Sequence, residues 1–208
     1  MQEALSPREC LRDPIPAIAD AARSLDTAVT AHLNGRRSEA TELIRRADML
    51  EIREWVESLW GKSNQYNQPR KSAASRESLS PSQRAKQRMP NSGLQRALLD
   101  RDGFHCRFCG IPVIRKEVRG RICRAYPELG IWGRTNGLQH AAFQAMWVQY
   151  DHVVPHAFGG QNDLENMVIA CAPCNFGRVD YSLEEMDLAD PRLRGPVRST
   201  WDGLERFK

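Results

Sequence analysis

An α+β fold is predicted, a small two-stranded hairpin closed by a helix and preceded by an N-terminal α-helical hairpin, and three observations predict it. Residues 17–60 repeat apolar side chains at helical spacing. Residues 150–178, YDHVVPHAFGGQNDLENMVIACAPCNFGR, read as strand, glycine-containing loop, strand and helix start. Four cysteines fall in two pairs, Cys106 with Cys109 ahead of that run and Cys171 with Cys174 near its end. CxxC pairs of this kind are the signature of a tetrahedral zinc ion held by four thiolates. The 61 residues between them suit a structural zinc clamp rather than an iron–sulfur cluster. Cys10 and Cys123 stand alone and are expected to be ordinary thiols.

Composition limits what the 208-residue chain can be. No run of about 18 apolar residues is present, so no membrane segment is expected. The N-terminus MQEALSPREC lacks the basic start and apolar centre of a secretory signal, which places the protein in the cytoplasm. In that compartment the cysteines remain reduced. The net charge of +4 is too small to imply a nucleic-acid partner by itself. Its distribution is more telling: seven Lys or Arg against Glu77 between Lys62 and Arg88, and five against Glu117 between Arg115 and Arg124.

In chain order, Pro7, Pro14 and Pro16 make an irregular lead-in. A helix follows from about Ala17 to Leu33 and stops at Asn34-Gly35. Ser38 is expected to cap a second helix running to Trp60, with Met49, Ile52, Val56 and Leu59 on its buried stripe and Gly61 ending it. Residues 1–61 thus form a helical hairpin, and a single pair must bury its faces against the rest of the chain, another copy or a protein partner. Residues 62–92 are almost empty of aliphatic side chains and read as a flexible basic linker. Residues 93–208 form the second domain. It opens with a helix over 94–100, a turn at Asp102-Gly103 and the first cysteine pair; His105 beside it is assigned to packing, since four thiolates fill a zinc shell.

Residues 115–146 are an insertion comprising a basic helix, Arg115 to Ala125, a loop with Trp132, and a helix from Leu138 to Met146. The basic helix is the expected groove-contacting surface, and Trp132 and Trp147 are expected core anchors. Ser182 to Glu185 is a capping-box pattern for a short helix, and Trp201 is expected to pin the basic tail.

The chemistry concentrates in the hairpin. A metal-free imidazole titrates near neutrality, so His152 is the candidate general base. Asp151 beside it can ligate a cation, and Asn175 supplies an amide oxygen within the closing helix; such an oxygen pair suits Mg²⁺ better than Zn²⁺. His156 is left outside the catalytic set. The spacing of Asp151-His152, Asn166 and Asn175 resembles the HNH endonuclease family, the ββα-metal nucleases, in the version where the last histidine is replaced by asparagine. The resemblance covers roughly residues 100–180. It implies an HNH nuclease core in which His152 is the general base, Asp151 and Asn175 hold a catalytic Mg²⁺ or Mn²⁺, and Asn166 braces the hairpin and orients the base. It further implies DNA as substrate, one strand nicked per site, and a phosphate contact from Arg178. A stand-alone nuclease with a helical appendage is compatible with a bacterial or phage defence or restriction system. The alternative is a zinc-stabilised nucleic-acid-binding or adaptor protein without catalysis.

Overall fold

The computed structural model describes residues 7–60, 65–70 and 78–208. Of the expected linker, residues 62–64 and 71–77 lie outside the described residues, as does Gly61.

Helix α1 (Pro16–Leu33) starts on a proline, whose missing N–H costs nothing at that position, and ends where Gly35 adopts φ +74°. It buries Ile18, Ala21, Leu25, Ala28 and Val29. The second expected helix is instead two, α2 (Arg37–Arg46) and α3 (Leu50–Trp60). The break has a tertiary cause. Asp48 leaves the helical path and accepts the Ala141 N–H at 2.7 Å, while Arg53 reaches the carbonyls of Asn136 and Gln139 at 3.1 and 2.9 Å. An aspartate that caps another element gains more there than inside its own helix.

The helical unit does not stand apart. Its stripe of Ile52, Trp55, Val56 and Leu59 is buried, with α3 packed on α6 (Ala141–Ala145) and α7 (Ala172–Arg178). Packing is close enough that a Cβ at Gly177 would sit 2.7 Å from Leu11 Cδ1 and 3.0 Å from the Leu59 carbonyl oxygen. His32 Nδ1 meets the Tyr126 hydroxyl at 2.8 Å, and the His140 ring donates from Nε2 to the Ile44 carbonyl at 2.8 Å. The apolar residues of both halves form one core.

Helix α4 (Ser92–Asp102) is longer than expected at both ends: the Asn91 side chain accepts the Leu94 N–H at 2.9 Å and caps its start, and the helix runs on to Asp102 with the Gly103 N–H bonded to the Leu99 carbonyl. Asp102 is therefore helical, and only Gly103, at φ +71°, makes the turn. Strands β1 (Val148–His152) and β2 (Met167–Cys171) pair antiparallel, with Asp151 opposite Val168 and His152 opposite Met167. Helix α7 starts immediately after Cys171, with a proline in its first turn. The last expected helix of the insertion shrinks to α6, and the capping box closes only a turn, through Ser182 N to Glu185 Oε2 at 2.6 Å and Glu185 N to Ser182 Oγ at 3.1 Å.

Helix α5 (Lys116–Ala125) corrects another expectation. Three of the basic side chains in and beside it are engaged within the chain rather than presented to a groove. Arg115 pairs with Glu205 at 2.5 Å, Arg121 donates to the Phe207 carbonyl at 2.7 Å, and the Arg119 guanidinium lies 3.4 Å from the centre of Trp132 and 4.9 Å from that of Trp147. Burial pulls Arg119 down to about 10. The two tryptophans meet edge to face at 5.6 Å; Trp132 packs partly buried against the core, whereas Trp147 is half-buried and lines a surface pocket with Trp60 and Phe176, so it is not the core anchor expected. Trp201 pins the tail by donating to the Val113 carbonyl at 3.1 Å. No helix among the described residues is long and apolar enough to cross a membrane.

Candidate metal centre and active cleft

The two cysteine pairs converge. The sulfurs of Cys106, Cys109, Cys171 and Cys174 all lie within 4.8 Å of one another, and the Cys109 and Cys171 sulfurs are 3.6 Å apart. Tetrahedral zinc with bonds of about 2.3 Å requires edges of roughly 3.8 Å, so the cluster fits that ion. Three of the four thiols are buried, and His105 stays outside the cluster, bonded to Ser199 at 3.3 Å. The cluster ties the turn after α4 to the junction of β2 and α7.

Loop 153–166 is braced by Asn166. Its Oδ1 accepts the Val154 N–H at 2.8 Å, its Nδ2 donates to the carbonyls of Val154 and Gln161 at 3.1 Å each, and its own N–H is held by Asp163 at 2.7 Å. The loop closes so tightly that a Cβ at Gly160 would lie 1.8 Å from the Val154 oxygen, which leaves glycine as the residue that fits. Asn166 thus bonds to loop backbone and not to the ring of His152.

His152, Asp151 and Asn175 all line one cleft of about 680 Å³. The ring of His152 is largely buried, and Nε2 lies 2.7 Å from Asn162 Oδ1. Burial moves His152 below its usual value, against the opposing effects of the Asn162 contact and the Asp151 charge. Asn175 is half-buried and its amide makes no hydrogen bond with the described residues. Its amide oxygen is uncommitted at the cleft, as are the side chains of Gln149 and Asp180 among the described residues. His156, 5.7 Å from His152 between ring centres, donates to the Ala85 carbonyl at 2.9 Å.

Arg178 departs from expectation. It is 1% exposed, and its guanidinium is committed to the Asp151 carboxylate (Nη2 to Oδ1 2.7 Å, Nε to Oδ2 3.3 Å), the His152 carbonyl at 2.5 Å and the Tyr181 carbonyl at 2.7 Å. A side chain so enclosed has no face left for a phosphate. Burial raises the Asp151 carboxyl above its ordinary range while the Arg178 charge pulls it back. Each carboxylate oxygen keeps a further acceptor position, so Asp151 and Asn175, which line the same cleft, are the residues that could hold a hard cation. Arg178 is the charge such an ion must share the carboxylate with.

The cleft also contains what the sequence did not reveal. One described part of the linker, residues 78–91, runs along the hairpin loop. Leu79 N donates to the Ala157 carbonyl at 2.9 Å, and Arg84 and Arg88 line the cleft wall. A Ser-, Gln- and Arg-rich stretch has no apolar periodicity to announce this path.

The HNH endonuclease family model matches residues 141–177. The matched segment runs from α6 through β1, the braced loop and β2 into α7, and so includes Asp151, His152, Asn166, Asn175 and the second cysteine pair. That stretch of the chain is similar to HNH endonucleases. No curated protein and no solved structure matches the chain.

Proposed function

We propose that this chain is an endonuclease that hydrolyses DNA phosphodiester bonds, with His152 as general base and one divalent ion, Mg²⁺ or Mn²⁺. The observation that carries the reading is the meeting of His152, Asp151 and Asn175 in a single cleft on the segment matched to HNH endonucleases. His152 accepts the proton of the attacking water. The braced loop keeps its ring aimed into the cleft, which makes Asn166 a positioning residue. Asp151 and Asn175 are the residues that would hold the ion, whose chemistry when bound is to neutralise charge on the phosphate and the departing oxygen. Arg178 holds Asp151 in place from behind. The four cysteines would carry a structural zinc with no coordination position left for water. One cleft per chain implies a nick in one strand. A defence or restriction system is the setting that suits such an enzyme.

One observation favours a second reading. The Arg178 guanidinium already neutralises Asp151, as it would in a zinc-stabilised binding module without catalysis. Plasmid nicking with Mg²⁺, Mn²⁺ and chelator separates the two, run on wild type and His152→Ala with zinc measured on the same samples. Cleavage that needs the added ion and falls about 100-fold or more in the variant is the expected result. Unchanged cleavage in His152→Ala removes the assigned base, and no cleavage by wild type with either ion leaves the binding module.

A further inference from the structure

The far nitrogen of His152 has a partner that belongs half to the loop and half to the remote arm. Asn162 places Oδ1 2.7 Å from His152 Nε2 and its amide nitrogen 2.5 Å from the Gln87 carbonyl oxygen and 3.3 Å from that of Met89. We propose that Asn162 is a positioning residue that sets the tautomer of His152, and that the arm of residues 78–91 acts on the catalytic base through it.

The argument is one of donors and acceptors. Two backbone carbonyls can be met only by the NH₂ end of the amide, because the flipped amide would bring oxygen against oxygen and leave its NH₂ facing the ring. Oδ1 is therefore turned to the imidazole, and as it can only accept, Nε2 must carry the ring proton. In the neutral ring the lone pair then resides on Nδ1, the nitrogen available to take a proton from water. The arm that orients the amide is itself secured on the same loop, by Leu79 N to the Ala157 carbonyl at 2.9 Å and by His156 Nε2 to the Ala85 carbonyl at 2.9 Å. A segment about 75 residues away in sequence thereby decides which nitrogen of the base is free.

The consequence for cleavage rests on the reading of His152 as base, but the tautomer does not, so the two are tested apart. Long-range proton–nitrogen spectra of the full-length, zinc-loaded protein in mildly alkaline buffer report which ring nitrogen of His152 is protonated, the signal being assigned by its loss in His152→Gln. A single Nε2-protonated form is expected in the wild type, a mixture of both in Asn162→Leu, and retention of the Nε2-protonated form in Asn162→Asp, which keeps the acceptor. In nicking assays Asn162→Leu should lower kcat about 10- to 100-fold with KM little changed, and Asn162→Asp should recover part of the loss. A wild-type ring protonated on Nδ1 overturns the proposal without need of any variant. So does an Asn162→Leu protein that keeps zinc and melts cooperatively yet shows an unaltered tautomer. Correct tautomers in a wild type that does not cleave would overturn the nuclease reading and leave this assignment standing.

Discussion

Two buried carboxylates flank the hairpin, and they differ in what they have left to give. Asp102, at the end of α4, accepts from Arg101 Nε and Nη2 at 2.7 Å each, from Arg107 Nη1 at 2.6 Å, and from the Ile169 N–H at 3.0 Å. With Arg107 N donating to the Ile169 carbonyl at 2.8 Å, it closes the outer edge of β2, where an unpaired strand would otherwise be exposed. Asp102 has no acceptor capacity to spare and faces no cavity. Among the described residues the Asp151 carboxylate accepts only from Arg178, and it lines the cleft with His152 and Asn175. The same pairing of acid and arginine is a structural lock in one place and a partly loaded site in the other. Residue type does not separate the two; remaining valence and access do.

The comparison breaks first at the four cysteine sulfurs beside both carboxylates. Cys174→Ser should lower bound zinc from one per chain and abolish the cooperative melting transition. Structural zinc contributes on the order of 10 kcal/mol in small domains, comparable to the whole stability of a domain this size. Metal analysis alongside thermal circular dichroism checks it; a zinc-free variant that melts where the wild type does would show that the sulfurs are not a clamp. The next effect divides the two carboxylates. Asp102→Asn leaves one buried guanidinium, Arg107, and one partly exposed, Arg101, short of a counter-charge and should cost about 3–5 kcal/mol. Asp151→Asn leaves one, still bonded to two carbonyls, and should cost about 1–3 kcal/mol while removing ion-dependent cleavage. Urea titrations of both variants that rank them in the opposite order would dissolve the distinction between lock and site.

How far each side could be read from sequence follows from the range of the interactions. The cysteine pairs, Asp151-His152, Asn166 and Asn175 announce themselves because ligand chemistry forces residue type and spacing within a short stretch. The helix α1 was legible because its apolar period is local. Asp102 was read as a turn residue, since its partners Arg107 and Ile169 are made neighbours only by the fold. The break at Ala47 to Met49 was missed for the same reason, as it depends on the distant N–H of Ala141. Arg178 was placed at a phosphate because its position after Asn175 suggests one, whereas burial against Asp151 is a tertiary fact. The arm was legible only as low in apolar content. Its role depends on where its carbonyls lie, and backbone carbonyls leave no trace in residue identity.

The smallest predicted effect sharpens what the open side is open to. Arg88 is exposed, lines the cleft and makes no hydrogen bond or ion pair with the described residues, unlike Arg178 behind Asp151. An arginine free at the rim of a cleft that takes a phosphodiester is placed to meet a neighbouring phosphate, and its contact is one of charge. Arg88→Ala should therefore weaken DNA binding equally across sequences, raise KM and leave kcat near the wild-type value. It should also flatten the dependence of log affinity on log salt by about 1, the share of a single phosphate. Fluorescence anisotropy with a short duplex over a salt series reads this out. An unchanged salt slope would mean that the arm serves the base through Asn162 alone, and that phosphates are held by another part of the cleft.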